Sequence, residues 1–205
     1  MAIYHCSIKI ISRSDGKSAV ASSAYRSGEK LMDDRIGLVH DFTQKRGVVF
    51  TEVALPAHAP PEYADRNILW NAVEKVEKKS NAQLAREIEV ALPKELSREC
   101  QIEIVRRYVQ DNFVSVGMCV DWALHDKGDG NPHAHIMLTM RGIKPDGTWA
   151  QKEKKIYALE AAVYIYIHVG AVGTVIIGIL VFKEPTSFWR LFFVFTLIAS
   201  VIGLK

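Results

Sequence analysis

Three histidines fall within one short run, His125-Asp-Lys-Gly-Asp-Gly-Asn-Pro-His133-Ala-His135. His133 and His135 are two apart, so on a strand their side chains leave the same face. His125 closes an apolar run at 117–124, and the intervening residues 126–132 are rich in turn formers. A hairpin across that loop brings three imidazoles to one end of a sheet. Three neutral imidazoles with open coordination positions suit a catalytic divalent metal better than a closed structural one. Polar histidines at a hairpin end, without a metal, are the alternative. Glu87 and Glu89 alternate along an apolar stretch and share a face. Carboxylates behind metal-bound imidazoles fix their tautomer and raise their basicity; a solvated strand face is the alternative there. Tyr25, from the residues alone, reads as a packing tyrosine on an amphipathic helix.

The elements that must position these groups follow from pattern. Residues 4–13 are apolar and β-rich and read as a strand. The small, Ala-rich 17–27 reads as a helix stopped by Gly28. Residues 37–41 and 47–52 read as short strands joined by the polar turn 43–46. Pro60-Pro61 opens a helix expected over 61–78, with apolar residues at helical spacing. Residues 86–92 alternate and end at Pro93, which predicts a strand. Ser97 caps a helix to 113, and 117–124 and 134–141 are strands. The order β-α-β-β-α-β-α-β-β predicts an α+β fold, a mostly antiparallel sheet with flanking helices.

The chain has 205 residues, 26 Lys+Arg against 23 Asp+Glu, and 24% charged and 49% hydrophobic positions. That excludes a disordered or collagenous chain. Three scattered cysteines, Cys6, Cys100 and Cys119, make a disulfide framework or zinc finger unexpected and suit a reducing compartment. The opening residues carry neither the charged nor the apolar region of a signal peptide. The charge is unevenly spread. Residues 1–155 hold 23 basic and 21 acidic side chains, so any surface for a polyanion must be a local patch; residues 156–205 hold three basic and two acidic. Residues 161–182 carry no formal charge and 188–204 carry only Arg190. As helices these are roughly 33 Å and roughly 26 Å long, against a hydrocarbon core of about 30 Å. Two transmembrane helices in a hairpin are the expectation, and a buried hairpin of a soluble domain is the alternative.

Three blocks carry a family resemblance: SAVASSAYRSGEKL (18–31), LAREIEVALPKEL (84–96) and HDKGDGNPHAHIM (125–137). Together they resemble the signature blocks of MobA/MobL-type relaxases, DNA nickases of conjugation and plasmid mobilisation with a His-hydrophobe-His metal site. The resemblance runs from about residue 2 to 159 and implies an HUH-relaxase-like domain over 1–159. It implies that Tyr25 is the nucleophile toward single-stranded DNA at an origin of transfer. The products would be a 5′-phosphotyrosyl adduct and a free 3′-hydroxyl. It also implies that His125, His133 and His135 hold Mg²⁺ or Mn²⁺, supported by Glu87 and Glu89. Arg26, Lys30 and Arg86 flank these motifs and are candidates for contacts to DNA phosphates. Relaxosome or coupling proteins are the further partners implied.

Residues 169–205 resemble the last two helices of small multidrug resistance transporters of the guanidinium-exporter branch, with Gly170, Gly173 and Gly178 suited to close helix packing. Such transporters rely on a glutamate in a first helix, and this chain has no counterpart to either. Relaxases of the family also continue past this point with elements not found here. The expectation is a C-terminally truncated relaxase domain, with residues 160–205 forming a two-helix membrane hairpin. Residues 161–204 would tether the domain to the cytoplasmic face of a bacterial inner membrane. A transporter fragment and a non-functional chimeric fusion are the rival readings.

Overall fold

Local chemistry sets the ends of the helices. Ser18 accepts a hydrogen bond from the Ala21 amide at 3.2 Å and starts α1, Ala19–Ser27. Gly28 ends it in the left-handed region at φ 70°, where a side chain would also crowd Val48. Asp65 accepts from the Asn67 and Ile68 amides and opens α2, Arg66–Val76. Ser97 accepts from the Cys100 amide at the start of α3, Arg98–Asn112. The computed structural model describes residues 5–152. Seven strands accompany the helices there: β1 (Cys6–Ser12), β2 (Lys30–Asp33), β3 (Leu38–Asp41), β4 (Val48–Ala54), β5 (Gln83–Ala91), β6 (Met118–His125) and β7 (His133–Gly142).

Five strands form one sheet in the order β1-β5-β7-β6-β4, with every neighbouring pair antiparallel. Its register brings chemically active residues to one face. Lys9 lies opposite Glu87, Glu87 opposite Met137 and Met137 opposite Asp121; one step along, Glu89 lies opposite His135 and His125 opposite His133. Helices α1 and α2 cover this face. Val20, Ala24, Leu69, Trp70 and Val73 pack with Ala85, Cys119 and Met137 in one core. Each large apolar side chain removed from water there contributes about 1.5–3 kcal/mol. Helix α3 lies on the other face, where the Phe50 and Trp122 rings meet at a tilt with centroids 5.0 Å apart and Arg106 reaches Glu52 at 2.7 Å.

The fold class is the expected α+β sheet with flanking helices, with three local differences. Strand β3 pairs not with β4 but with β2, in a separate two-stranded ribbon. Strand β2 was not expected, because its four residues, Lys-Leu-Met-Asp, carry too little apolar character to stand out from a loop. The helix expected over 61–78 is a 3-10 turn, Pro61–Ala64, followed by α2, because the Asp65 carboxylate captures the amides that would otherwise continue the turn. No helix among the described residues is long and apolar enough to cross a membrane. The apolar spans 161–182 and 188–204 lie outside the described residues.

Candidate active site

The β6–β7 hairpin brings the histidines together as its register requires. Ring centroids lie 4.7 Å apart for His125 and His135, 5.1 Å for His133 and His135, and 5.5 Å for His125 and His133. One nitrogen of each ring lies within 4.8 Å of one nitrogen of the other two. The remaining nitrogens are engaged. His125 Nε2 donates to the Arg26 carbonyl at 2.6 Å, His133 Nδ1 to the Asn131 carbonyl at 2.8 Å, and His135 Nδ1 to Glu87 Oε1 at 2.9 Å. A carbonyl or carboxylate can only accept, so these bonds fix the tautomers. They leave lone pairs on His125 Nδ1 and on Nε2 of His133 and His135. Burial, joined by the charge of Lys45 and the neighbouring imidazoles, pushes His125 down to about 4, against the bond to Arg26. The ring is therefore neutral at physiological pH. Three imidazoles, each with one nitrogen turned to the other two, and a carboxylate behind one of them fit a divalent cation.

Glu87 joins this cluster to the helix that carries Tyr25. It is buried at 4% exposure. It takes the His135 N–H and, through both oxygens, the Arg26 Nε and Nη2 groups. Burial alone would raise its carboxyl; hydrogen bonds from His135 and Arg26 and the Arg26 charge outweigh that and hold it at about 2. Glu89 shares the face, but its carboxylate goes to Lys9 at 3.1 Å. Among the described residues, only Glu87 of the two bonds a triad histidine.

Tyr25, next to Arg26, is half exposed. Its ring meets Phe42 edge-on at 5.3 Å, and the Lys45 ammonium stands 3.7 Å from the ring centroid while donating to the Tyr25 carbonyl at 2.6 Å. The Lys45 ammonium is pushed down to about 8 by burial and then by the charges of Arg26 and Lys127, with Glu87 opposing. The three basic residues expected to meet DNA are placed differently from one another. Lys30 is exposed and 3.7 Å from Asp41. Arg26 is committed to Glu87 and to the Ser22 carbonyl, and Arg86 is 4% exposed on the opposite strand face from Glu87. Contrary to expectation, neither guanidinium is presented to a passing strand. In Arg26 the carboxylate it neutralises is the reason; in Arg86 it is the alternation of β5.

Sequence reasoning missed a second buried anchor. Asp121, at 5% exposure, accepts from Ser23 Oγ at 2.6 Å, Trp70 Nε1 at 2.8 Å and the Arg66 guanidinium at 3.3 Å. Ser23 lies two residues before Tyr25, so β6 fixes α1 on the N-terminal side of the tyrosine as well. A lone aspartate inside the apolar run Cys-Val-Asp-Trp-Ala-Leu was the available sign, since a buried carboxylate needs partners.

Known proteins share this arrangement of sequence and fold. The MobA/MobL family model matches residues 17–171. A conjugal transfer protein TraA of Agrobacterium fabrum is 43% identical over 162 residues, which is 74% of this chain and 15% of that protein. A probable mobilization protein MobA of Bifidobacterium longum is 39% identical over 163 residues, 78% of this chain and 29% of the relative. A mobilization protein MobL of Acidithiobacillus ferridurans is 39% identical over 177 residues, 74% of this chain and 46% of the relative. The chain thus spans less than half the length of these relatives. A solved structure described as "Molecular Basis of Vancomycin Resistance Transfer in Staphylococcus aureus" superposes with a TM-score of 0.70 at 34% identity, over 75% of this chain and 78% of that one. With its histidine triad on the sheet, Tyr25 on the helix over it and the family model matched over most of its length, the chain belongs to the MobA/MobL family.

Proposed function

We propose that this domain nicks one strand of DNA at a plasmid origin of transfer and holds the cut end covalently on Tyr25. The observation that carries the proposal is the pair of links on either side of Arg26. Its carbonyl accepts from His125, and its guanidinium grips the glutamate that orients His135. The residue after the tyrosine is therefore bonded to both parts of the histidine cluster. Tyr25 Oη attacks phosphorus, a tyrosyl P–O bond forms and the P–O3′ bond breaks. The phenolic proton is given up and the departing 3′-oxygen takes one up. One phosphodiester replaces another, so the bond energy is kept for rejoining. A divalent cation held by His125, His133 and His135 would polarise the phosphoryl oxygens and offset the charge that builds in the transition state. Glu87 keeps His135 in the tautomer that leaves Nε2 free, and Arg26 keeps the tyrosine's helix against that glutamate. The Lys45 ammonium over its ring restricts the tyrosine.

The partners of this reading are single-stranded origin DNA and the relaxosome or coupling proteins that deliver it. The two charge-poor runs within residues 161–204 are the sole ground for a membrane tether that would keep the domain on the bacterial cytoplasmic side. The nicking reading is tested with a labelled single-stranded oligonucleotide carrying the cognate origin, incubated with Mn²⁺ and run on a denaturing gel. Wild type should yield a protein–DNA band, and Tyr25→Phe should bind the DNA and yield none. Persistence of the band in the variant would move the nucleophile elsewhere, and its absence in wild type would remove the activity.

A further inference from the structure

Of two lysines beside the triad, Lys45 has so far only restricted the Tyr25 ring, and Lys127 has had no part. Gly47, at φ 85°, lets the turn before β4 come hard against the β6–β7 loop. The Asp126 amide donates to the Gly47 carbonyl at 2.8 Å, and a Cβ on Gly47 would stand 2.8 Å from Lys127 Cγ. This contact holds Lys127, from one loop, near Lys45, from the other. The neighbouring carboxylates are already taken, Glu87 by Arg26 and Asp126 by Arg98. Among the described residues, neither lysine forms an ion pair. Lys45 is half-buried, and its charge is opposed by both Arg26 and Lys127. Like charges held together by backbone contacts, with the nearest carboxylate, Glu87, already bonded to Arg26, raise the free energy of the empty site and lower it when an anion enters. An ammonium has three N–H donors, and Lys45 uses one on the Tyr25 carbonyl.

We propose that Lys45 and Lys127 form a two-lysine clamp for the phosphates of single-stranded DNA, gripping the backbone where it passes between Tyr25 and the histidine triad. The proposal rests on the nicking reading above and names the part of the chain that holds the strand. It turns from Arg26, which is committed to Glu87, and Arg86, which is buried, to two side chains that form no ion pair among the described residues. Each charge-assisted contact releases counterions from the strand. Single-strand affinity should therefore fall with salt by about 0.7 in log–log slope for each phosphate held.

The test uses the full chain carrying Tyr25→Phe, with metal chelated, and measures anisotropy of a short fluorescein-labelled oligothymidylate across a salt series. Lys45→Met and Lys127→Met should each flatten the slope by about 0.7, and the pair by about 1.4. Lys78→Met, in the link that enters β5 at the end away from the triad, should leave it unchanged. Lys45→Arg and Lys127→Arg should restore the wild-type slope, which separates charge from damage to the fold. Unchanged slopes in the methionine variants, or arginine variants that behave like them, overturn the clamp while adduct formation by wild type still stands. Failure of the Tyr25→Phe chain to bind the oligothymidylate at all overturns the clamp, and loss of the adduct on cognate origin DNA by wild type overturns the nicking reading as well.

Discussion

Glu87 is the residue on which the site's chemistry turns, because it meets a metal-ligand candidate and the tyrosine's helix at once. Its depressed acidity makes the linkage measurable. The folded carboxyl sits at about 2 against 4.5 for an unperturbed one, and folded His125 sits at about 4 against 6.5. In both cases the unfolded chain binds more protons across the gap, so stability rises with pH there and is lost on acidification. The metal-free protein should begin to weaken below about 6.5 through His125, and weaken again from 4.5 toward 2 through Glu87. The Glu87 contribution is on the order of 3 kcal/mol. Melting temperature against pH checks this: Glu87→Gln should shrink the lower limb, to which Glu89 and Asp126 also contribute, and leave the upper one, and an unchanged lower limb would dissociate that loss from Glu87. The same variant should weaken Mn²⁺ binding about 10- to 100-fold, as loss of a carboxylate behind a ligand does. Wild type should gain about 2.7 kcal/mol of apparent stability at a hundredfold excess of Mn²⁺ over its dissociation constant. His133→Ala/His135→Ala should gain nothing, and an equal gain would place the metal elsewhere.

At the scale of elements, the hairpin was legible and its supports were not. His125, the turn-rich loop and His133-Ala-His135 give pairing and face directly, because strand alternation is a rigid rule. Glu87 was legible for the same reason, as was the capping of α3 by Ser97. The partners of Arg26 were not, since a basic residue beside a tyrosine reads the same whether it faces solvent or a buried carboxylate sixty-one residues on. Asp121 was hidden likewise: its three donors come from α1 and α2, elements brought near only by the tertiary fold. That network predicts a separable effect. Asp121→Ala would leave Arg66 without this carboxylate and Ser23 and Trp70 without an acceptor, and should cost about 3–5 kcal/mol of stability. Because the histidines keep their hairpin, the folded fraction should still bind Mn²⁺ with wild-type affinity. Chemical denaturation beside Mn²⁺ titration distinguishes the outcomes. A variant as stable as wild type would mean the network is not what holds α1, and a variant that loses metal affinity would mean that β6 transmits the damage to His125.

At the scale of the whole molecule, the chain is two kinds of sequence. The family match covers 17–171 and so extends into the first of two charge-poor runs, 161–182 and 188–204, which the proposed tether would place in a different solvent. Moving such runs into hydrocarbon is favourable, and their lengths match a bilayer if Arg190 extends from the end of its span toward the headgroups. Lys152, Lys154 and Lys155 precede the first run and Lys205 follows the second. Basic residues beside short spans tend to remain cytoplasmic, so both ends should face the cytoplasm. The connecting residues 183–190 carry Lys183 and Arg190, which reduces that bias without reversing it. The proposed nicking of plasmid DNA would likewise require the domain on the cytoplasmic side. The expected outcome is that the full chain, expressed in bacteria, stays in the membrane pellet through an alkaline carbonate wash, while a chain ending at Lys155 is recovered in the supernatant. The shorter chain keeps Tyr25, Glu87, the three histidines and both lysines of the clamp, so it should retain the Mn²⁺-dependent thermal shift. Release of the full chain by the wash would exclude integration into the bilayer and favour burial of the same apolar surface against protein. Pelleting of the short chain as well would assign sedimentation to the folded domain's own association and not to the tail.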